Sequence, residues 1–495
     1  MTSETSIRRF CIAVCYWAVL FFSLNAAGQR AEDSCDAFFD NPHQTLDCLE
    51  AVFTQTDIQY HSLPLPHLTL SSIPPGNGFP IGLVYEKRTN HVSSPFSATE
   101  QTNTPSTGYK SLVDAKLASG ISTNASWYIT GSVSWLPPLH YREESRPGSD
   151  VCHRLWLFCT KQVLGVNFSV THRVLQNISF NGLGPLSPNT QLSFRQIETY
   201  GGATARMPLF SWLTVEGQIE NRKPTITFST SSLNSGMINN TSTPGFATQP
   251  DFMHYGAGIR ISAQAISEPV TNDPPATPAG LPPPPLMKHK WIFILNNAST
   301  EHWFVDQDNG AFSFRQFVFD GTESMKLHSV IRRFVPPSKM TTSLKFLRHF
   351  CNQRKTGFKA DDECDFGEFA VRPRLILSDV NSGMVPFYLQ PTLGGADIES
   401  RLTLRGFNDY RFRAPDAAML GVDYGIPVFN PIGALLFYDA GTVGNAVSDL
   451  SFTHARQDGG VGATLRLQGN VVAQIYLAFG AGHGSHFGYN FTKFF

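Results

Sequence analysis

Two charged residues sit where their neighbours are apolar or glycine: Arg405 in Leu404-Arg405-Gly406-Phe407, and Asp439 in Phe437-Tyr438-Asp439-Ala440-Gly441. Side chains alternate along a strand, so Leu435 to Gly441 would put Leu435, Phe437, Asp439 and Gly441 on one face and Leu436, Tyr438 and Ala440 on the other. A carboxylate on such a strand requires a partner or water. It cannot face lipid cheaply, so in a membrane protein the Asp439 face is expected to line an interior. Taken alone, the Arg-Gly-Phe triplet reads more simply as a solvated turn.

Motifs for catalysis are missing. The sequence has no His-Glu-x-x-His zinc motif, no Walker loop and no Gly-x-Ser-x-Gly elbow, so neither an enzyme nor a cofactor or metal site is expected. His483 and His486 lie in a glycine-rich stretch and could bind a metal, but a pair of exposed loop histidines is the simpler reading.

Six cysteines remain once a leader carrying Cys11 and Cys15 is set aside: Cys35 and Cys48, Cys152 and Cys159, Cys351 and Cys364. Six cysteines allow fifteen connectivities. Pairing within each close couple is favoured, because each member has a near neighbour and the couples are far apart. Loops this short are stabilised by roughly 3 kcal/mol at most on the chain-entropy model, so they read as loop staples. Zinc is the competing reading, but no CxxC pair occurs and export favours disulfides.

The leader itself is Arg8-Arg9, an apolar run from Phe10 to Leu24, and the small residues Ala26, Ala27 and Gly28. This is the layout of a secretory signal peptide over 1–28, with cleavage expected before Gln29. The run is shorter than the ~20 residues of a spanning helix, and no later segment is long and apolar enough to cross as one. A mature chain that crosses a membrane would therefore do so with strands, since only helices and closed barrels satisfy every backbone group in lipid. A net charge of -1 gives no strong field toward nucleic acid or anionic lipid. The 39 Phe with only 16% charged residues suit a broad aromatic, apolar surface.

Gln29 to Ser72 carries Leu46, Leu49, Val52 and Phe53 at helical spacing. Pro74-Pro75-Gly76-Asn77-Gly78 then breaks the chain, and from Phe79 the apolar period changes to two. The expected domains are a short N-terminal periplasmic segment over 29–78 and a β-barrel over 79–495.

About sixteen strands are expected, among them Gln191 to Tyr200, Thr204 to Glu220, Lys326 to Phe334, Met419 to Phe429 and Ile432 to Gly441. Spans of ~10 alternating residues suit a tilted membrane strand, and single-chain barrels have even strand numbers. Tight turns at Asn430-Pro431 and Gln468-Gly469-Asn470, against long connections after Asp379 and Gly441, place both termini on the periplasmic side. The proline-rich segment Pro269 to Pro285 cannot be a strand and reads as an extended surface loop.

The order of these signals, Arg405 in its glycine turn, then the Phe-x-Asp-x-Gly strand, then a chain ending on Phe495, resembles the bacterial surface-antigen family. That is the outer-membrane barrel superfamily of BamA, TamA and the two-partner secretion transporters. Pro386-Phe387-Tyr388, Leu393-Gly394-Gly395 and the earlier Phe180-Asn181-Gly182-Leu183-Gly184 with Ser187 fit the same resemblance.

The resemblance implies an all-β transmembrane antiparallel barrel in the bacterial outer membrane. In it, a loop bearing Arg405, Gly406 and Phe407 would enter the lumen, where Arg405 would meet Asp439 near Gly441. A planar guanidinium can bind a carboxylate through two hydrogen bonds, which would lock the loop. Phe487, Tyr489, Phe491 and Phe495 share one face of the closing strand and read as an assembly signal, with Lys493 snorkelling to the interface.

The implied role is insertion, export or handling of polypeptide or lipid. The implied partners are outer-membrane lipid and the general barrel-assembly machinery. Residues 29–78 are too few for the repeated periplasmic POTRA domains of members that handle protein clients, so client recognition would be absent or come from a periplasmic partner chain. The alternatives are a passive pore or structural surface protein, and a soluble secreted β-protein; the last requires polar residues on both faces of the late strands.

Overall fold

The computed structural model describes the chain from 67 to 491, apart from 94–108, 140–163, 267–291, 327–366, 380–383 and short turn segments. The expected signal peptide, the six cysteines after it and Phe495 lie outside the described residues. The chain divides into Met1–Pro64 and Leu65–Phe495, and everything described belongs to the second unit.

Its strands are β1 (His67–Thr69), β2 (Pro80–Ser93), β3 (Tyr109–Ser122), β4 (Trp127–Leu139), β5 (Gly165–Phe180), β6 (Leu192–Phe210), β7 (Leu213–Phe228), β8 (Phe252–Ile266), β9 (Ile292–Asp306), β10 (Phe314–Lys326) and β11 (Glu368–Asp379). They continue as β12 (Thr392–Leu393), β13 (Phe412–Arg413), β14 (Asp416–Phe429), β15 (Ile432–Gly444), β16 (Arg456–Leu467), β17 (Asn470–Gly480) and β18 (Gly484–Phe491). Sixteen of them form one sheet in which every strand pairs antiparallel with its sequence neighbours, from β1 through β11 and on through β14 to β18. The remaining two, β12 and β13, pair with each other inside the connection between β11 and β14.

The sheet is inside-out for a protein in water. On β4, Trp127, Ile129, Val133 and Trp135 are exposed, and on β17 so are Ile475, Leu477 and Phe479. On β15, Leu436 and Tyr438 are 46% and 45% exposed while Leu435, Phe437 and Asp439 between them are buried. The buried side of the sheet instead collects Gln196, Glu198, His254, Thr464 and Asp439. Alternation of apolar-out and polar-in is the pattern of a membrane barrel wall, whose outer face meets hydrocarbon. A soluble secreted β-protein would put polar residues on the outer face of the late strands, where β15 and β17 carry large apolar ones.

The sheet also curves around its own loop. The segment from Val385 to Arg413 packs Phe387 against Phe180, Phe194 and Phe228 of β5 to β7, while His486 of β18 hydrogen-bonds the backbone of Arg405. Strands so far apart in the order reach one segment only if the wall wraps it. Among the described residues no ladder joins β18 to β1 or β2.

The number of strands agrees with the sequence reading, but the list differs. Thr204 to Glu220 is not one strand: β6 runs to Phe210 and β7 starts at Leu213. Lys326 only ends β10, and the rest of Lys326 to Phe334 lies outside the described strands, whereas β1 precedes Phe79.

The loop-length rule needs correcting too. Strict up-and-down order puts the tight turns at 211–212, 430–431 and 468–469 on one edge, and the long connections 94–108, 140–164, 267–291 and 327–367 join strand ends on that same edge. The proline-rich segment and the cysteines at 152, 159, 351 and 364 lie outside the described residues. Loop-closure entropy grows only slowly with length, so either end of a barrel tolerates insertions.

Candidate functional site: a loop clamped to the inner wall

The connection between β11 and β14 folds back as the small β12–β13 hairpin, and its apolar side chains seat it. Leu393, Leu404, Phe407 and Phe412 cluster with Ile376 of β11, Ala417 and Met419 of β14 and Val443 of β15. Phe407 meets Phe412 edge-on, with ring centroids 5.3 Å apart. Gly441 lies beneath Leu393 and Leu404, so the motif glycine keeps the wall low where the loop rests. At Gly406 the approach is closer still: a Cβ there would fall 2.6 Å from Asp458 Cβ and 2.8 Å from the Gly480 nitrogen, so only glycine fits.

This close approach delivers Arg405. Its Nε donates to Asp439 Oδ2 at 2.6 Å and its Nη2 to Asp439 Oδ1 at 2.8 Å, a two-bonded fork. The same Nη2 reaches Asp423 Oδ1 of β14 at 2.5 Å, and the guanidinium carbon lies 3.7 Å from the centre of the Phe437 ring. Arg372 of β11 completes a lattice of two cations and two anions, 2.8 Å from Asp423 Oδ2 and 3.2 Å from Asp439 Oδ1.

Arg405 and Asp439 are both fully buried. Burial alone would lower the Arg405 pKa, but attraction to Asp439 and then Asp423 outweighs it and holds the value above the ordinary one. Removing one partner from such a buried pair costs about 3–5 kcal/mol, because the other charge is left stranded. From outside the fork, the Nδ1–H of His486 donates to the Arg405 carbonyl at 3.0 Å.

Two further anchorages hold the loop elsewhere. Arg374 of β11 bonds Asp397 Oδ2 at 2.6 Å, and Arg401 of the loop pairs with Asp320 of β10. Asp397 sits in a turn and accepts the amides of Glu399 and Arg401; burial raises its pKa, with the Arg374 cation opposing. On the other side, the Gly184 amide donates to the Arg413 carbonyl at 2.7 Å, and Arg411 donates to Ser187 Oγ at 2.7 Å and to the Ser187 carbonyl at 2.8 Å. Arg413 donates to the Phe387 carbonyl at 2.6 Å among aromatic rings, and burial brings its pKa down to about 10.

The structure thus brings Arg405, Gly406, Phe407, Asp439 and Gly441 to one place. Asp423, Arg372 and Arg411 were missed. Asp423 could have been found by the rule that singled out Asp439, since it too interrupts an apolar strand, between Val422 and Tyr424. His486 is not an exposed loop residue but a half-buried member of β18 that bonds the clamp. Phe487 and Tyr489 point outward, 66% and 48% exposed, and Phe491 ends β18; Phe495 lies outside the described residues, as do Cys35, Cys48, Cys152, Cys159, Cys351 and Cys364.

A sixteen-stranded antiparallel meander, apolar outside and polar inside, wrapped on an inward loop, defines a β-barrel of the membrane-spanning class. Three solved structures are similar to it. CdiB from Acinetobacter baumannii is 8% identical with a TM-score of 0.40, covering 86% of this chain and 57% of that one. BamA from Haemophilus ducreyi lacking POTRA domains 1-3 is 10% identical with a TM-score of 0.45, covering 87% and 70%. CdiB from Escherichia coli is 10% identical with a TM-score of 0.42, covering 87% and 62%. The chain thus spans well under two thirds of the length of the first of these. No protein-family model and no curated protein matches the sequence.

Proposed function

We propose that this chain is a bacterial outer-membrane barrel that inserts, exports or otherwise handles polypeptide or lipid, with its lumen kept closed by the clamped loop. The observation that carries the reading is the buried fork of Arg405 on Asp439 and Asp423, which ties a loop segment to the inner wall. A partner chain would supply client recognition, outer-membrane lipid would meet the apolar face, and the barrel-assembly machinery would install the chain by its closing strand.

The passive-pore reading draws on one observation of its own, a polar cavity of about 740 Å³ left between the loop and β5 to β11. Planar-bilayer recording of the purified protein separates the two. A small, flickering conductance that becomes large and steady in an Arg405→Ala variant supports the clamped transporter. A large steady conductance in the unaltered protein supports the pore.

A further inference from the structure

Away from the clamp, three side chains on the inner wall of β7 to β9 converge at the edge of this cavity. His254 Nε2 lies 2.9 Å from His302 Nδ1, and the Gln218 amide nitrogen lies 3.4 Å from the first and 3.5 Å from the second. His254 Nδ1 is 2.7 Å from Glu220 Oε1, which fixes the proton on Nδ1 and leaves a lone pair on Nε2. If His302 Nδ1–H donates to His254, the Gln218 amide group, a donor, faces one nitrogen whose lone pair is used and another that carries a hydrogen.

Rotating the Gln218 amide exchanges oxygen for nitrogen without moving any heavy-atom position. The other His302 tautomer then leaves two imidazole lone pairs and one carbonyl oxygen within 3.5 Å of one another. The arrangement is held rigid. The His254 ring stacks on Phe304 at 4.3 Å, and Phe304 stacks on Phe314 at 4.5 Å. Gln218 can lie across β8 only because residue 256 is glycine, where a Cβ would sit 2.6 Å from Gln218 Cγ.

We propose that His254, His302 and Gln218 form a binding site for a divalent late first-row transition metal, opening on the lumen, with Glu220 as the carboxylate that orients His254. Metal–nitrogen bonds of about 2.0–2.1 Å at a right angle put two nitrogens about 2.9 Å apart, whereas a tetrahedral angle needs about 3.3 Å. The observed 2.9 Å fits the two imidazoles at a right angle on Cu2+ or Ni2+ better than tetrahedral Zn2+, and the 3.4 and 3.5 Å from the Gln218 amide put its oxygen on a longer, axial bond. Among the described residues no group of three or more His, Cys, Asp or Glu could hold a metal, so the chain offers such an ion only these three ligands. Such an ion would tie β7, β8 and β9 together. The site shares no residue with the clamp.

The test is titration of the purified full chain with Cu2+, followed by electron paramagnetic resonance, with Ni2+ calorimetry alongside. One equivalent should bind with hyperfine structure from two imidazole nitrogens, and His302→Ala should lose that signal. Glu220→Gln should weaken binding by about 10–100-fold, the usual effect of removing the carboxylate behind a ligating histidine. A heat-dependent gel shift reports whether each variant is still a barrel; if His254→Ala is not, His302→Ala and Gln218→Leu decide. Absence of a two-nitrogen signal, or its persistence in His302→Ala, overturns the proposal.

Discussion

Around β14 to β16 the inner wall meets the loop with charge, and around β5 to β7 it meets the same loop with aromatic rings. On the first side, Arg405 crosses from loop to wall and bonds two strands at once. On the second, the wall's charges bond each other, Arg173 to Glu198 and Arg222 to Glu220, and the loop arrives as Phe387 lying among Phe180, Phe194 and Phe228. Aromatic rings prefer edge-on or offset contacts, but that preference is worth only about 0.5–1.5 kcal/mol per pair beyond the area buried, so this side fixes the loop's angle less firmly. A two-bonded guanidinium fixes both distance and angle, so the charged side sets the register of the loop.

If that division is right, the largest effect belongs to Arg405→Ala. It strands Asp439 with only Arg372 and should weaken loop docking by about 3–5 kcal/mol, less where lumen water reaches the site. Protease cleavage between Val385 and Arg413 in the membrane-embedded protein reads this directly. Next comes Arg411→Ala, which gives up two charge-assisted bonds to Ser187 and should cost about 1.5–3 kcal/mol by the same readout. Phe387→Leu keeps an apolar body in the aromatic nest and should cost below about 1.5 kcal/mol, with clamp geometry unchanged. A larger loss from Phe387→Leu than from Arg405→Ala would reverse the comparison. Arg206→Ala sets the floor: its side chain is 63% exposed and its pair with Glu216 should be worth about 0–1 kcal/mol.

What could be read from sequence follows the same division. The Arg405 and Asp439 pair was legible because each residue broke an apolar or glycine pattern and the two together resembled a known motif. Strands with clean alternation, such as β15 and β17, were legible from period alone. The β6–β7 turn was not, because Met207-Pro208-Leu209-Phe210 and Leu213 read as continuous apolar sequence with no glycine or asparagine between. Contacts such as Arg411 with Ser187, 224 residues apart, leave no period at all and arise only when the wall curves around the loop. The metal-like cluster was invisible for a related reason. His254, His302 and Gln218 belong to three strands and meet through register, not through spacing in the chain.

The most direct test of the clamp is an exchange of its two charges, Arg405→Asp with Asp439→Arg, measured beside both single variants by loop proteolysis and bilayer conductance. Each single variant should expose the loop and raise conductance. The double variant should recover part of the loss, because residues in contact couple by about 0.5–3 kcal/mol whereas distant ones add. A double variant whose losses simply sum would contradict the account.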